Sequence, residues 1–444
     1  MKKILFAAVP ADGHFNPLTG LAKYLQQQGY DVRWYAASKY LPKLQQLQIP
    51  SYKFGKEIDF TTDEFDTAFP ERVQIKSTIK KLNFDMEYFF INRGPVYYKE
   101  MQQIHETFPF DLLIADVAFM GSIFVKELMR IPVLSIGVLP LVESSRDLPP
   151  NGLGMTPSNT FAGKIKQGML RWLVKNILFK KPDALAQKIL DEYKIEHNKI
   201  FLFDLLSHKA DFILQSGTPG FEYQRSDLSS NIRFIGPLLP YSNKQNSKPW
   251  FDERLYTYSR IVLVTQGTVE KDINKIIVPT LEAFKNTSTL VVCTTGGSLT
   301  EELREKYDCP NIIIEDFIPF ADVMPYASVY VTNGGYGGVM LGIENKLPMV
   351  MAGVHEGKNE ICARVGYFKY GVNLKTESPT AVQIAKAVDE VINNNLYKRN
   401  IEKLSREFAS YNANELCLEY VKALIPAGKV SNEKVQQLSA SIYE

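Results

Sequence analysis

Residues 327–360, ASVYVTNGGYGGVMLGIENKLPMVMAGVHEGKNE, leave this chain few folds to choose from. The β-prone run Val329, Tyr330, Val331 is broken by Thr332 and Asn333, and Gly334, Gly335, Gly337 and Gly338 follow at once. A helical pattern begins at Val339, Met340 and Ile343, and a second apolar run, 348–352, ends at Gly353. The order is strand, glycine turn, helix, strand, which implies a parallel sheet covered by helices. Glycines at such a turn let a ligand reach the backbone, and the first turn of the helix aims unpaired N–H groups at it. A phosphate or diphosphate is the natural occupant. Four glycines in five positions exceed what an empty βα turn needs, so we read this turn as a phosphate cradle.

The same rhythm runs through the rest of the chain. Residues 4–9 (ILFAAV) form a strand apolar on both faces, PADGHFNP leads into a helix carrying Leu18, Leu21, Ala22 and Leu25, and 32–37 is the next strand. Further strands are expected at 111–115, 131–136, 211–215 and 232–235, then at 261–265, 290–294, 312–314, 329–331 and 349–351. Helices are expected at 273–284, 381–392 and 397–424. A polar segment rich in Asn, Ser and Lys near 241–250 separates the two series. At 444 residues the chain exceeds one ordinary core. We divide it into a first domain 1–240, a linker 241–255, a second domain 256–424 and a tail 425–444 that packs back on the first domain or is disordered.

Open α/β sheets place functional groups at the C-terminal ends of their strands. His14 follows the first strand, where an imidazole facing a cleft can take a proton from a hydroxyl. Asp116 ends another strand and could orient the ring through its far nitrogen; Asp12 is the alternative. In the second half, Thr268 after 261–265 suits a phosphate oxygen, Phe317 an aromatic base, and Glu356 sugar hydroxyls. The segment 52–106 is rich in aromatics, including Phe60, Phe84 and Tyr88, which serve equally as core or as the wall of an apolar pocket. Residues 161–181 alternate basic and apolar side chains, and we read them as a covering helix with a solvated outer face rather than a membrane-surface helix.

Composition excludes several classes. A net charge of +2 supplies no field for nucleic acid. Cys293, Cys309, Cys362 and Cys417 make no metal-binding spacing and fit a reducing interior. Residues 4–9 are too short for a secretion signal, and no apolar run approaches the roughly 18 residues of a membrane span. The protein is expected in the cytoplasm.

Taken together in order, GHFNP (13–17), IGPLLP (235–240), VTQGT (264–268), DFIPF (316–320) and the glycine stretch with PMVMAG (348–353) resemble the family 1 glycosyltransferases, nearly end to end. The resemblance implies the GT-B fold, two Rossmann-like doubly wound parallel-sheet domains facing across a cleft. It implies that His14 is the catalytic base with Asp116 as its partner. The donor, a nucleoside-diphosphate sugar with UDP-glucose as default, would lie against Gly13, Thr268, Phe317, Ile318, Asn333, Gly335, Tyr336, Gly337, Gly338, Glu356, Gly357 and Lys358. A hydrophobic acceptor such as a flavonoid or other polyphenol would lie against Phe60, Phe84, Tyr88, Phe119 and Leu139. The implied reaction is inverting transfer of a hexose to a hydroxyl, with no metal and no cofactor beyond the nucleotide sugar. Asn333 stands where many members carry His, Gly338 where they carry Ser, Phe317 where Trp is common, and Glu356-Gly357-Lys358 where an acidic residue and Gln are usual. These departures bear on the donor, and a deoxythymidine-diphosphate sugar is the second choice. The rival readings are a nucleotide-sugar 2-epimerase of the same fold, which would use His355 and Glu356, and a non-catalytic partner of another glycosyltransferase.

Overall fold

A computed structural model describes residues 1–241, 249–267, 270–355 and 357–426. Thr268, Glu356, residues 242–248 of the expected linker and residues 427–444 of the expected tail lie outside the described residues.

The first sheet contains β1 (Lys3–Ala7), β2 (Asp31–Ala36), β3 (Ser51–Lys53), β4 (Leu112–Asp116), β5 (Val133–Gly137), β6 (Phe212–Ser216) and β7 (Ile232–Gly236), in the order β3-β2-β1-β4-β5-β6-β7. The second contains β8 (Ile261–Thr265), β9 (Leu290–Thr294), β10 (Ile312–Glu315), β11 (Val329–Thr332), β12 (Met349–Met351) and β13 (Gly371–Asn373), in the order β10-β9-β8-β11-β12-β13. Every strand pairing within the two sheets is parallel. Counting from each sheet's own first strand, both run 3-2-1-4-5-6, with a seventh strand added at the end of the first, so each has a crevice where the winding reverses. That crevice lies between β1 and β4 in the first sheet and between β8 and β11 in the second.

The central strands are covered on both faces, which is why they read as unbroken apolar runs: Ile4, Leu5, Phe6 and Ala7 are buried, as are Val262, Leu263 and Val264. Helix α1 (Asp12–Gln27) turns Phe15, Leu18, Leu21, Ala22 and Leu25 onto the first core at helical spacing. Five further helices matter below: α2 (Phe161–Leu173), α3 (Tyr336–Glu344), α4 (Lys358–Tyr367), α5 (Asn395–Phe408) and α6 (Ala413–Leu424).

The expected helix over 397–424 is two helices. Asn412 ends the break between them, and its side chain caps α6 by accepting from the Glu415 N–H at 3.3 Å. The break lets the chain cross back, so Cys417, Leu418, Tyr420 and Val421 join the core of the first sheet, with the Tyr420 ring 4.9 Å from that of Phe212. The return to the first half therefore begins a helix earlier than the sequence reading, which kept residues through 424 in the second domain. Gly236 accommodates the crossing: its φ is +84°, and a Cβ there would meet Tyr411 Cβ at 2.5 Å.

Candidate active site

The residues after β1 and at the end of β4 meet in the first crevice. Asp116, fully buried, accepts from the Val9 N–H at 2.7 Å through Oδ2 and from the Ala118 N–H at 2.8 Å through Oδ1. Its Oδ1 also lies 2.8 Å from His14 Nδ1. Two backbone donors fix the carboxylate, and the carboxylate fixes the ring. An ionised carboxylate only accepts, so Nδ1 carries the proton and Nε2 presents its lone pair. The side chain of His14 keeps 14% of its surface exposed. Asp12 is turned elsewhere: it accepts from the Tyr40 hydroxyl at 3.0 Å and pairs with Lys39 at 3.3 Å.

The aromatic residues assigned to the acceptor do not share one environment. Phe119 belongs to the core, fully buried and stacked on Tyr97 at 4.3 Å, so its ring is closed to a ligand. Phe84 and Tyr88 stack at 4.3 Å, and the edge of Tyr88 reaches solvent. Phe60 is half-buried, and Leu139 lines a small hollow with Pro140, Leu141 and Gln215. Sequence reading missed Arg93, a buried guanidinium held between the rings of Phe60 and Phe89 at 4.0 and 4.3 Å. A separate hollow of about 300 Å³ lies beside α2, lined by apolar Leu148, Val174 and Phe201, by one side of the exposed Trp172, and by charged Arg171, Glu360 and Arg364; none of the five assigned acceptor residues lines it.

On the second sheet the turn after β11 delivers the start of α3. Gly334 has a φ of +89°, and a Cβ there would strike Cys362 Sγ at 2.8 Å. A Cβ on Gly338 would strike the Tyr330 hydroxyl at 2.9 Å. Packing thus demands two of the four glycines. Gly337 is different: nothing stands within 4 Å of its Cβ position, while at Gly335 the nearest atom is Asn333 Oδ1 at 4.0 Å. The N–H groups of Tyr336, Gly337 and Gly338 form the first turn of α3 and have no helical acceptor. Asn333 donates through Nδ2 to the Gln266 carbonyl at 2.6 Å, tying this turn to the end of β8.

Phe317 exposes 65% of its surface, a free ring face beside Gly297, while Ile318 is buried in the core. Gly357, with a φ of +76°, caps α4, and the Lys358 N–H donates to the His355 carbonyl at 2.9 Å. His355 is exposed and lies 3.7 Å from Glu377.

Tyr336 offers a ligand only its N–H, because its ring is buried against Phe221 and its hydroxyl donates to the Ser216 carbonyl at 2.7 Å. Burial pushes the phenol pKa up, which keeps it a donor. This bond sets the first turn of α3 on the C-terminal edge of the first sheet, at β6. His14 stands on that same edge, after β1. Strands β4 and β5 lie between them, so the β1 and β6 axes are three strand spacings apart, about 14 Å.

The halves are also joined by charges no motif announced. Arg364 on α4 donates to Glu222 Oε2 at 2.8 and 3.0 Å and to Glu360 Oε2 at 3.1 Å, all three buried. Burial alone would lower the guanidinium pKa; Glu222 and Glu360 outweigh it and hold it above the ordinary value.

The sequence model of the family described as "UDP-glucoronosyl and UDP-glucosyl transferase" matches residues 99–410. The 4'-demethylrebeccamycin synthase of Lentzea aerocolonigenes is 30% identical over 424 residues, covering 95% of this chain and 99% of that protein. UDP-glucosyltransferase 1 of Beauveria bassiana (strain ARSEF 2860) is 29% identical, with 91% of each chain covered. Among solved structures, the calicheamicin glycosyltransferase CalG4 superposes with a TM-score of 0.74 at 16% identity, covering 97% of this chain and 100% of that one. The glycotransferase of kitacinnamycin gives 0.73 at 16% identity, covering 96% and 99%.

Proposed function

Since the chain belongs to the UDP-glucuronosyl and UDP-glucosyl transferase family and has the GT-B fold, we propose that this glycosyltransferase moves a hexose, glucose by default, from UDP-glucose to a hydroxyl of a hydrophobic small molecule. Flavonoids and other polyphenols are the acceptor class, and the cytoplasm is the compartment. Among the described residues no helix is long and apolar enough to cross a membrane.

The observation that carries the reading is the 2.8 Å contact of His14 Nδ1 with a carboxylate that two backbone N–H groups already hold. A carboxylate held in this way orients the ring so that Nε2 is the nitrogen turned away from it. In the proposed reaction Nε2 takes the proton from the acceptor hydroxyl as that oxygen attacks the anomeric carbon. The bond from that carbon to the diphosphate oxygen breaks on the opposite side, which inverts the centre. The departing diphosphate gathers negative charge, and the N–H groups of Tyr336, Gly337 and Gly338, which have no acceptor within α3, suit it. Phe317 stacks on the base, with Ile318 offering its backbone. Gly13, Asn333, Gly335, Gly357 and Lys358 complete the donor side, joined by Thr268 and Glu356. Phe60, Phe84, Tyr88 and Leu139 face the acceptor. No step calls for a divalent metal.

The test is transfer from UDP-glucose and from a deoxythymidine-diphosphate sugar to a panel of phenols, in the presence of EDTA, with products read by mass. His14→Ala is expected to abolish product while the nucleotide still binds; unchanged transfer would reject the base assignment. Asp116→Asn is expected to lower the rate by about 10²–10⁴-fold with the fold intact. Full activity in that variant would remove Asp116 from the mechanism, and product that disappears with EDTA would reject metal independence.

A further inference from the structure

Helix α2 faces the opposite way from what its sequence suggests. Its one buried residue is polar: Gln167 accepts from the Ser158 N–H at 2.6 Å and donates to the Asp147 carbonyl at 3.3 Å, and the half-buried Arg171 donates to the Leu148 carbonyl at 2.5 Å. These bonds hold one side of the helix on the loop that follows β5. They turn Phe161, Ile165, Met169 and Trp172 outward, exposed by 82%, 50%, 68% and 61%. Ile177, in the wider turn Val174–Leu178 that continues the helix, is 57% exposed. At about 100° per residue, Phe161, Trp172, Ile165, Met169 and Leu173 make one stripe about 120° wide.

Cations edge this stripe. Exposed Lys164 and Lys175 lie along one side and Lys166 along the other, with Lys180 beyond the end. Residues 161–181 contain six basic side chains and no acidic one, in a chain whose net charge is only +2. Met86, which follows the Thr78–Asp85 helix, packs against the Val174, Phe179 and Phe201 cluster under the end of α2, and that helix carries two exposed apolar residues of its own, Ile79 and Leu82. An apolar stripe between rows of lysine, with an indole among the apolar groups, has the chemistry of a helix lying in the headgroup region of an anionic bilayer.

We propose that α2 and the turn after it form a docking surface for anionic phospholipid, with the apolar stripe among the acyl chains and the lysines at the headgroup phosphates. The experiment is flotation with vesicles of phosphatidylcholine, with and without phosphatidylglycerol, at about 0.1 M salt. The chain is expected to bind the anionic vesicles and to bind pure phosphatidylcholine far more weakly. Replacing Lys164, Lys166 and Lys175 together by Gln should weaken binding about 100-fold. Phe161→Ser with Met169→Ser should abolish it, with thermal unfolding unchanged because these side chains are exposed. Tryptophan emission should shift to the blue on binding, since Trp34 is already buried and Trp250 is half-buried. Absence of vesicle binding, equal binding to neutral vesicles, or indifference to the lysine substitutions would each overturn the proposal. So would self-association that the serine substitutions abolish in a chain that ignores vesicles, which would make a second copy the occupant.

Discussion

Removal of the Arg364 guanidinium tests whether the two halves are held by buried charge. Arg364 serves Glu222 through two nitrogens and Glu360 through a third, and stacks 4.6 Å above the Tyr223 ring. The carboxylates have further duties in the first half. Glu222 Oε1 accepts from the Leu141 N–H at 2.9 Å, and Glu360 Oε1 accepts from the Gly152 and Gly154 N–H groups at 2.9 and 2.7 Å. In Arg364→Met both carboxylates stay in place with side chains only 5% and 9% exposed and their counter-charge gone. Breaking a buried pair in this way costs about 3–5 kcal/mol, mostly through the stranded charge. For a domain of about 200 residues that lowers the melting temperature by about 6–20 °C. The diagnostic variant adds Glu222→Gln and Glu360→Gln, whose neutral amides still accept from the three N–H groups. Calorimetry or circular dichroism melts should show the triple variant recovering part of the loss, because the two carboxylate charges that faced Arg364 are removed with it, while Arg225 beside Glu222 stays charged. A single variant within about 1 kcal/mol of the parent, or a triple variant no better than the single, would refute the reasoning.

Two further outcomes follow from packing. Gly338→Ser forces a Cβ against the Tyr330 hydroxyl and should cost about 1–3 kcal/mol, relieved by Tyr330→Phe; Gly337→Ala enters open space, so its melting temperature should hold while its nucleotide Kd rises, and calorimetric titration separates the two effects. Burial pushes the Cys293 thiol up and those of Cys362 and Cys417 up to about 12, well above the ordinary thiol value. At pH 8 these three are protonated and enclosed, so a native-state thiol count should find Cys309 alone; raising the pH toward 10 should not expose the others unless the fold opens.

Much of this architecture was legible because buried parallel strands announce themselves. The runs over 261–265, 290–294 and 349–351 appear where they were expected, and two windings were anticipated from the renewed rhythm after the polar segment. The edge strands β3 and β13 were not, since three residues such as Ser51-Tyr52-Lys53 or Gly371-Val372-Asn373 carry no apolar run. The expected helix from 273 begins at Ile277. Periodicity showed that 161–181 has an apolar side but not which side faces in. That was decided by Gln167 and Arg171, whose partners are loop carbonyls and an N–H at 147, 148 and 158. The Arg364–Glu222 pair spans 142 positions and leaves no local pattern to read.

The glycine turn shows how far residue counting carries. Four glycines in five positions suggested a ligand, yet Gly334 and Gly338 are demanded by Cys362 and Tyr330 whether or not anything binds. Gly335 and Gly337 are the two that point to a phosphate: no atom stands closer than 4.0 Å to either Cβ position, at a helix start where three N–H groups lack helical acceptors. The same accounting applies across the crevice. Asp116 was the expected partner of His14 and Asp12 the alternative; Asp12 is occupied by Tyr40 and Lys39, whereas Asp116 is braced by the Val9 and Ala118 N–H groups and holds His14. In both crevices the functional reading stands on groups that packing leaves unexplained among the described residues: the Nε2 side of an imidazole fixed through Nδ1, and a helix start whose first N–H groups have no helical acceptor. That is a narrower basis than the motifs suggested, and each part of it can be removed by a single substitution without disturbing the core.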